Sequence, residues 1–154
     1  RRMSDHGFAT SLRWSGSTAV GYDAYSREHE LTVASHVVSA SSDAAFRGDP
    51  SLPNPEQLLV AAASSCQLLS FLAVAARARL DVTDYRDDAT GEMPEGNRPM
   101  WVTRILLRPH ITLAGDPPRA KVERLVEVAH RECFIAASLR SEIVLEPTLI
   151  GVTG

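Results

Sequence analysis

The first fifty residues alternate apolar and polar positions in short runs, a pattern typical of β-strands. Residues 8–14 alternate with a period of two, which predicts a half-buried strand. Residues 30–34 and 36–40 show the same pattern and predict either one bent strand or two. Residues 41–53 are rich in Ser, Asp, Gly and Pro, so they predict a long loop. A loop of that length within a compact domain is often functional.

A long helix is predicted to begin at Asn54 and Pro55 and to run to about Arg79, because no Gly or Pro interrupts it. Asn54 is a good N-cap, Pro55 suits the first helical position, and Glu56 suits the positive end of the helix dipole. Gln57 takes the place of a capping-box partner. The large apolar residues of this helix do not fit one narrow stripe: Leu58, Leu59, Leu68, Leu69, Phe71, Leu72 and Val74. This pattern predicts a buried central helix, partly covered by a second subunit.

The second half of the chain predicts more strands and one more helix. Strands are expected over residues 81–90, 101–113 and 142–146, and Pro109 within the second of them implies an edge position or a bulge. Asp116, followed by two prolines, predicts the start of the second helix. One face of that helix is apolar: Val122, Leu125, Val126, Ala129 and Cys133. Because strands outnumber helices and are clustered, the fold class is predicted to be α+β.

Composition and net charge exclude several classes of function. The 154 residues are 44% hydrophobic and 23% charged, as expected for a single globular domain, which we place at residues 3–154 with Arg1 and Arg2 as a cloning remnant. The net charge of −3 gives no electrostatic case for nucleic acid or an anionic membrane. We find no apolar run of about 18 residues and no signal peptide, so we expect a cytoplasmic protein without a membrane partner.

The chain contains two cysteines, Cys66 and Cys133, and each lies on a predicted helix. Two cysteines do not make a disulfide framework. Counting alone favours two buried, inert thiols, and a redox pair is the alternative.

Several short motifs occur together in this chain. Residues 54–58 read Asn-Pro-Glu-Gln-Leu, and residues 64–66 read Ser-Ser-Cys, with the cysteine ten residues after the Glu. A second cysteine, Cys133, follows late in the chain on another predicted helix. This combination resembles the osmotically inducible and organic hydroperoxide resistance (OsmC/Ohr) family. Residues 25–27 and 45–50 resemble one branch of the family, and the likeness extends from residue 12 to residue 149.

The resemblance implies a fold, an activity and a set of site residues. The fold would be an antiparallel sheet with a long buried central helix and a second helix, assembled as an intertwined homodimer. The activity would be that of a thiol-dependent peroxidase, an oxidoreductase that prefers organic hydroperoxides and uses no metal, flavin or other bound cofactor. Cys66 matches the peroxidatic cysteine and Cys133 the resolving one. Glu56 matches a glutamate that pairs with an arginine, which we assign to Arg27, with Arg47 as the rival.

The chemistry explains why these residue types are needed. A thiolate is the nucleophile toward a peroxide, whereas an ordinary cysteine is mostly protonated at neutral pH. An arginine stays charged and can stabilise the anion, and a carboxylate can hold that arginine. Glu56 and Cys66 lie roughly 15 Å apart along a helix, so an arginine from another segment would have to link them.

The expected cycle runs through a sulfenic acid on Cys66 and a disulfide with Cys133. An external dithiol, of the dihydrolipoamide type by the resemblance, would then reduce the bridge. Four further residues are candidates for the substrate pocket: Phe46, Arg47, Gln67 and Phe134. With Leu58 and Leu69, the two phenylalanines would favour an alkyl hydroperoxide.

Other interpretations remain open from the residues alone. Glu56 could serve only the helix dipole, and Arg27 could be a solvated loop charge. His130 and Cys133 have a spacing that could hold a metal, although a satisfied or exposed histidine is expected. On the same fold, the chain could instead be a non-enzymatic stress protein that binds a lipid-like ligand, or a redox sensor.

Overall fold

The computed structural model describes residues 5–154, which form two compact units, one up to Pro55 and one from Glu56 to Gly154. Arg1, Arg2 and the expected start of the domain at Met3 lie outside the described residues. The placement of a single domain over residues 3–154 stays a prediction.

The first unit contains one antiparallel sheet. Its strands are β1 (Thr10–Arg13), β2 (His29–Val33) and β3 (His36–Ala40), in the order β1-β2-β3. Two short 3₁₀ turns, Thr18–Val20 and Ala44–Phe46, lie in the loops around the sheet. Residues 30–40 therefore form two strands, one of the two arrangements that the pattern allowed.

One face of this sheet is apolar and largely uncovered. Leu12 lies opposite Leu31, and Leu31 lies opposite Val38, so the three side chains share a face. Leu12 is 68% exposed, and Ala40 is the only buried residue of the three strands. A sheet normally buries its apolar face against another element.

The long helix belongs to the second unit except for its first residue. Helix α1 spans Pro55–Arg77, two residues shorter than predicted. It ends in the manner of a Schellman motif, because the Leu80 amide donates to the Ala75 carbonyl and Arg79 adopts a left-handed φ of 59°.

Six strands of the second unit form two sheets. The strands are β4 (Asp81–Asp87), β5 (Thr90–Glu92), β6 (Arg104–Leu107), β7 (Pro109–Ala114), β8 (Glu142–Leu145) and β9 (Thr148–Ile150). The sheet orders are β4-β7-β9 and β5-β6-β8, with one antiparallel and one parallel pair in each. The α+β class is confirmed, and the sheets are rich in antiparallel pairs without being purely antiparallel.

The predicted long strand over residues 101–113 is divided at Arg108. Its two parts, β6 and β7, belong to different sheets. Pro109 is the first residue of β7, which is the central strand of its sheet, so the expected edge position or bulge was wrong. The first position of a strand tolerates a proline.

Helix α2 spans Arg119–Glu132, and a short helix α3 spans Phe134–Ser138. Asp116 does not cap α2: it has a left-handed φ of 48°, and Pro118 occupies the N-cap without a side-chain hydrogen bond. The predicted buried face of α2 is confirmed at Val122, Val126, Ala129 and Cys133, whereas Leu125 is half-buried.

Helix α1 supplies residues to two apolar clusters. Phe71, Val74 and Ala75 pack with residues of β7 and α2, and Ala63 packs with residues of β6. Within residues 5–154 only this one face of α1 is buried, since Leu58 and Leu72 are exposed and Leu69 is 63% exposed. The predicted burial of this helix is therefore confirmed for one side, and its other apolar side chains are not covered by the described residues of the same chain.

One helix in the described part of the chain, α1, is long and apolar enough to cross a membrane. An 18-residue window of it has a mean hydropathy of 2.0, so the expectation that no such run exists was wrong. Core helices have the same composition, and Phe71 and Ala75 of α1 lie in the core, at 0% and 1% exposure.

Candidate thiol site

The packing of α1 against α2 brings the two cysteines together. The Ser70 hydroxyl donates to the Ala129 carbonyl at 2.7 Å, and Lys121 donates to the Ala78 carbonyl at 3.3 Å. These contacts hold α1 against α2. Across that packing, Cys66, one turn before Ser70, meets Cys133, one turn after Ala129. Both cysteines are free thiols, close enough for a weak thiol–thiol hydrogen bond.

Cys133 lies at the junction between α2 and α3. Its amide donates to the His130 carbonyl at 3.2 Å, and its sulfur accepts from the Ala136 amide at 3.5 Å, so the residue ends one helix and caps the next. Cys133 is 1% exposed. Burial, and then the contact with Cys66, raise the pKa of the Cys133 thiol, while the amides of Ala136 and Ile135 act in the opposite direction. The net shift keeps Cys133 protonated in the reduced protein.

Two buried polar side-chain atoms, one on α1 and one on α2, have no hydrogen-bond partner among residues 5–154. Gln67 is 1% exposed; its Nε2 donates to the Val126 carbonyl at 3.3 Å, but its Oε1 accepts no hydrogen bond from any described residue. His130 Nδ1 is likewise buried and unpaired among residues 5–154. The expectation that His130 would be satisfied or exposed fails at Nδ1, while the residue as a whole is half-buried. Buried polar atoms of this kind are uncommon in native proteins.

The turn of α1 before Cys66 is anchored to the sheet. The Ser64 hydroxyl donates to one carboxylate oxygen of Asp87 at 2.6 Å, and the Arg108 amide donates to the other at 2.6 Å. This positioning contact could not be predicted from the sequence, because Ser64 and Asp87 are 23 residues apart and no motif links Asp87 to the Ser-Ser-Cys segment.

Arg27 belongs to the first unit and is held by its own loop. Its guanidinium lies 3.6 Å from the centre of the Tyr25 ring and 4.7 Å from that of Tyr22, and it donates to the backbone carbonyls of both tyrosines. Arg27 also lines a cavity of about 440 Å³, together with Leu12, Trp14 and Tyr25. The guanidinium is therefore held in place by the aromatic rings and carbonyls of its own loop.

Arg47, the rival arginine, is exposed and pairs with Asp23 at 3.0 Å. It follows the 3₁₀ turn that ends at Phe46, a half-buried residue, and it has a left-handed φ of 67°. Gly48 comes next because a Cβ there would lie 1.7 Å from the Ser42 carbonyl oxygen. The tight turn therefore needs a glycine at this position.

The structure thus gathers some of the candidate residues into one place. Cys66, Cys133 and Gln67 share the interface between α1 and α2, and Glu56 is half-buried in the first turn of α1. Phe134 is 82% exposed, directly after Cys133. Within residues 5–154, no group of three His, Cys, Asp or Glu side chains is placed to bind a metal ion.

Comparison with known proteins gives consistent matches. The profile of the family described as "OsmC-like protein" matches residues 48–148. An OsmC-like protein of unknown function, VCA0330 from Vibrio cholerae, is 31% identical with a TM-score of 0.82, and the match covers 95% of this chain and 100% of that one. The uncharacterized protein YmaD of Bacillus subtilis strain 168 is 22% identical, over 94% of this chain and 93% of its own length.

The organic hydroperoxide resistance protein OhrB of Bacillus subtilis also shares the fold. Its TM-score is 0.59 and its identity 19%, with 92% of this chain and 98% of that one covered. At this identity the likeness shows the fold alone. The matched profile covers most of the chain and includes both cysteines, so the chain belongs to the OsmC-like protein family.

Proposed function

We propose that this chain is a thiol-dependent peroxidase that reduces organic hydroperoxides to alcohols. The observation that carries the proposal is the pair of free thiols, one half-buried and one buried, placed against each other by α1 and α2. Contact between the two thiols is required for a redox pair but not for two inert core residues. The names of structural relatives, such as the hydroperoxide resistance protein above, suggest the substrate class.

The proposed cycle starts with Cys66 as the nucleophile, because it is the more accessible of the two thiols. Its thiolate attacks the O–O bond of the hydroperoxide, the alcohol leaves after protonation, and Cys66 becomes a sulfenic acid. The protonated Cys133 thiol then condenses with that sulfenic acid, which releases water and forms the disulfide. An external dithiol, of the dihydrolipoamide type by family resemblance, returns both thiols in the reducing cytoplasm.

Arg27 and Glu56 have supporting roles in this proposal. The Tyr22 and Tyr25 carbonyls use only part of the five N–H donors of Arg27, so the guanidinium can still bind an anion. We assign it to stabilise the Cys66 thiolate, with Glu56 as its carboxylate partner. Phe46, Arg47, Gln67 and Phe134 remain proposed pocket residues.

We further propose that the active form is a homodimer. The apolar face of the β1–β3 sheet and the outer side of α1 are uncovered within one chain. Exposed apolar surfaces of this kind usually mark an interface. A second copy would bury them, as the family resemblance predicts.

A second candidate function is favoured by the cavity beside Arg27. Its volume of about 440 Å³ and its apolar lining suit a lipid-like ligand, which a non-enzymatic binding protein could hold. Such a protein would retain ligand binding after both cysteines were replaced by serine.

Intact mass after one equivalent of cumene hydroperoxide tests the proposal. The reduced wild type should lose two hydrogens, and Cys133→Ser should gain one oxygen. Unchanged masses in both proteins, under conditions where a small thiol is oxidised, would exclude the peroxidase and favour the binding protein.

A further inference from the structure

The two sulfurs of the candidate pair differ in how an incoming thiol can reach them. A thiolate attacks a disulfide in line with the S–S bond, from the side opposite the leaving sulfur. Cys133 is 1% exposed at the α2–α3 junction, so an incoming thiol has almost no open side from which to reach its sulfur. Cys66 is half-buried, and the hydroperoxide must reach it in any case.

We propose that external thiols reduce the Cys66–Cys133 disulfide by attacking the sulfur of Cys66, with Cys133 as the leaving group. The first bond formed joins the reductant to Cys66, and the bond broken is the one to Cys133. This inference rests on the proposed function only for the occurrence of the disulfide in the cell.

The α2–α3 junction also supplies a hydrogen-bond donor to the negative charge that the Cys133 sulfur acquires as the leaving group. The Ala136 amide already donates to the Cys133 sulfur at 3.5 Å, in the first turn of α3. The electron pair of the broken bond stays on that sulfur, which then takes up a proton. Solvent access therefore favours attack on the Cys66 sulfur, and an amide of α3 stabilises the Cys133 sulfur as the leaving group.

The second half of the exchange restores the nucleophile. The remaining thiol of the dithiol loses its proton and attacks the reductant's sulfur in the mixed disulfide. The reductant leaves as a cyclic disulfide, and Cys66 is released as a thiolate. Cys66 is therefore regenerated in the form that attacks the next hydroperoxide.

The site of attack can be determined without any peroxide. The protein is oxidised with diamide, treated with the monothiol cysteamine, and quenched with excess N-ethylmaleimide. Trypsin separates the two cysteines, because Arg47 and Arg77 flank Cys66 while other arginines flank Cys133. We expect cysteamine on the Cys66 peptide and maleimide on the Cys133 peptide. The reverse distribution would overturn the proposal, and so would equal amounts of the two.

The single-cysteine variants give an independent measurement of access. Cys133→Ser leaves only Cys66, and Cys66→Ser leaves only Cys133. With an aromatic disulfide reagent, Cys66 in the folded protein should react at least about tenfold faster than Cys133, and the two rates should become similar in urea. Similar rates in the folded proteins would contradict the inference.

The outcomes also separate this inference from the proposed function. If a hydroperoxide leaves the thiols unoxidised while diamide bridges them, the peroxidase proposal fails and the site of attack is still measured. If diamide cannot bridge the pair, the inference fails because there is no disulfide to reduce.

Discussion

Replacement of Gln67 by methionine should stabilise the protein. Gln67 is 1% exposed, and its Oε1 has no partner among the described residues. An unsatisfied buried acceptor costs about 1–3 kcal/mol. The single bond that the side chain makes, to the Val126 carbonyl at 3.3 Å, is long and contributes only about 0.5 kcal/mol. A swap to a side chain of similar volume adds little strain.

The expected gain in the free energy of unfolding is therefore about 0.5–2.5 kcal/mol. For a chain of this size, each kcal/mol corresponds to a rise in Tm of about 2–4 °C. Urea unfolding of the reduced protein, followed by circular dichroism, would measure the difference between Gln67→Met and the wild type.

A control comes from the neighbouring contact between the same helices. Ser70 donates to the Ala129 carbonyl at 2.7 Å, so Ser70→Ala should destabilise the protein by about 0.5–1.5 kcal/mol. A fall of more than about 1 kcal/mol in the free energy of unfolding of Gln67→Met would refute a missing partner at Oε1. That result would mean that Oε1 has a partner, such as a bound water, whose loss outweighs the gain.

Three further predictions concern the loop, the buried thiol and the outer side of α1. Gly48→Ala would place a Cβ 1.7 Å from the Ser42 carbonyl oxygen, which should lower the free energy of unfolding by about 1–3 kcal/mol. In the control Gly96→Ala the new Cβ meets nothing within 4 Å, so the free energy of unfolding should change by less than about 0.5 kcal/mol. Equal effects of the two substitutions in thermal melts would contradict a tight turn at Gly48. Because the pKa of Cys133 is raised in the folded protein, the unfolded chain ionises first, and the free energy of unfolding should fall as the pH rises above the ordinary thiol pKa. Urea titrations between about pH 8 and about pH 10 should therefore show the wild type losing stability relative to Cys133→Ala. If the free energies of unfolding of the two proteins changed in parallel with pH, a raised pKa of Cys133 would be refuted. Leu69→Glu should weaken self-association, measured by sedimentation, without unfolding the chain, because Leu69 is 63% exposed. The control Ala120→Glu, on an exposed turn of α2, should leave self-association unchanged. Equal association of the wild type and both variants would exclude this side of α1 from the interface.

The parts of the fold that follow local rules could be predicted from the sequence. Helix α1 has a proline at its first position and no internal Gly or Pro, so its extent was predicted to within two residues. The apolar positions of α2 have a clear helical period, and they placed Cys133 on the buried face. Motifs carried by few residues identified the family.

The remainder depends on contacts between distant segments. Periodicity continues smoothly through Arg108, so it could not show that β6 and β7 join different sheets. Helix α3 has only five residues, too few for a period to be visible. The bond between Ser64 and Asp87 and the unpaired oxygen of Gln67 arise only when the second unit has packed.

The edge position of β3 has a practical consequence for handling the protein. Residues 31–40 contain no charged side chain and are rich in β-branched residues, and β3 pairs with β2 on one side only. Its free edge offers unpaired amides and carbonyls to any other extended segment, a recognised starting point for aggregation. Concentrated samples, and fragments in which this sheet is left uncovered, should therefore be the first to precipitate, and a lysine at the exposed Val37 would act as a gatekeeper against it.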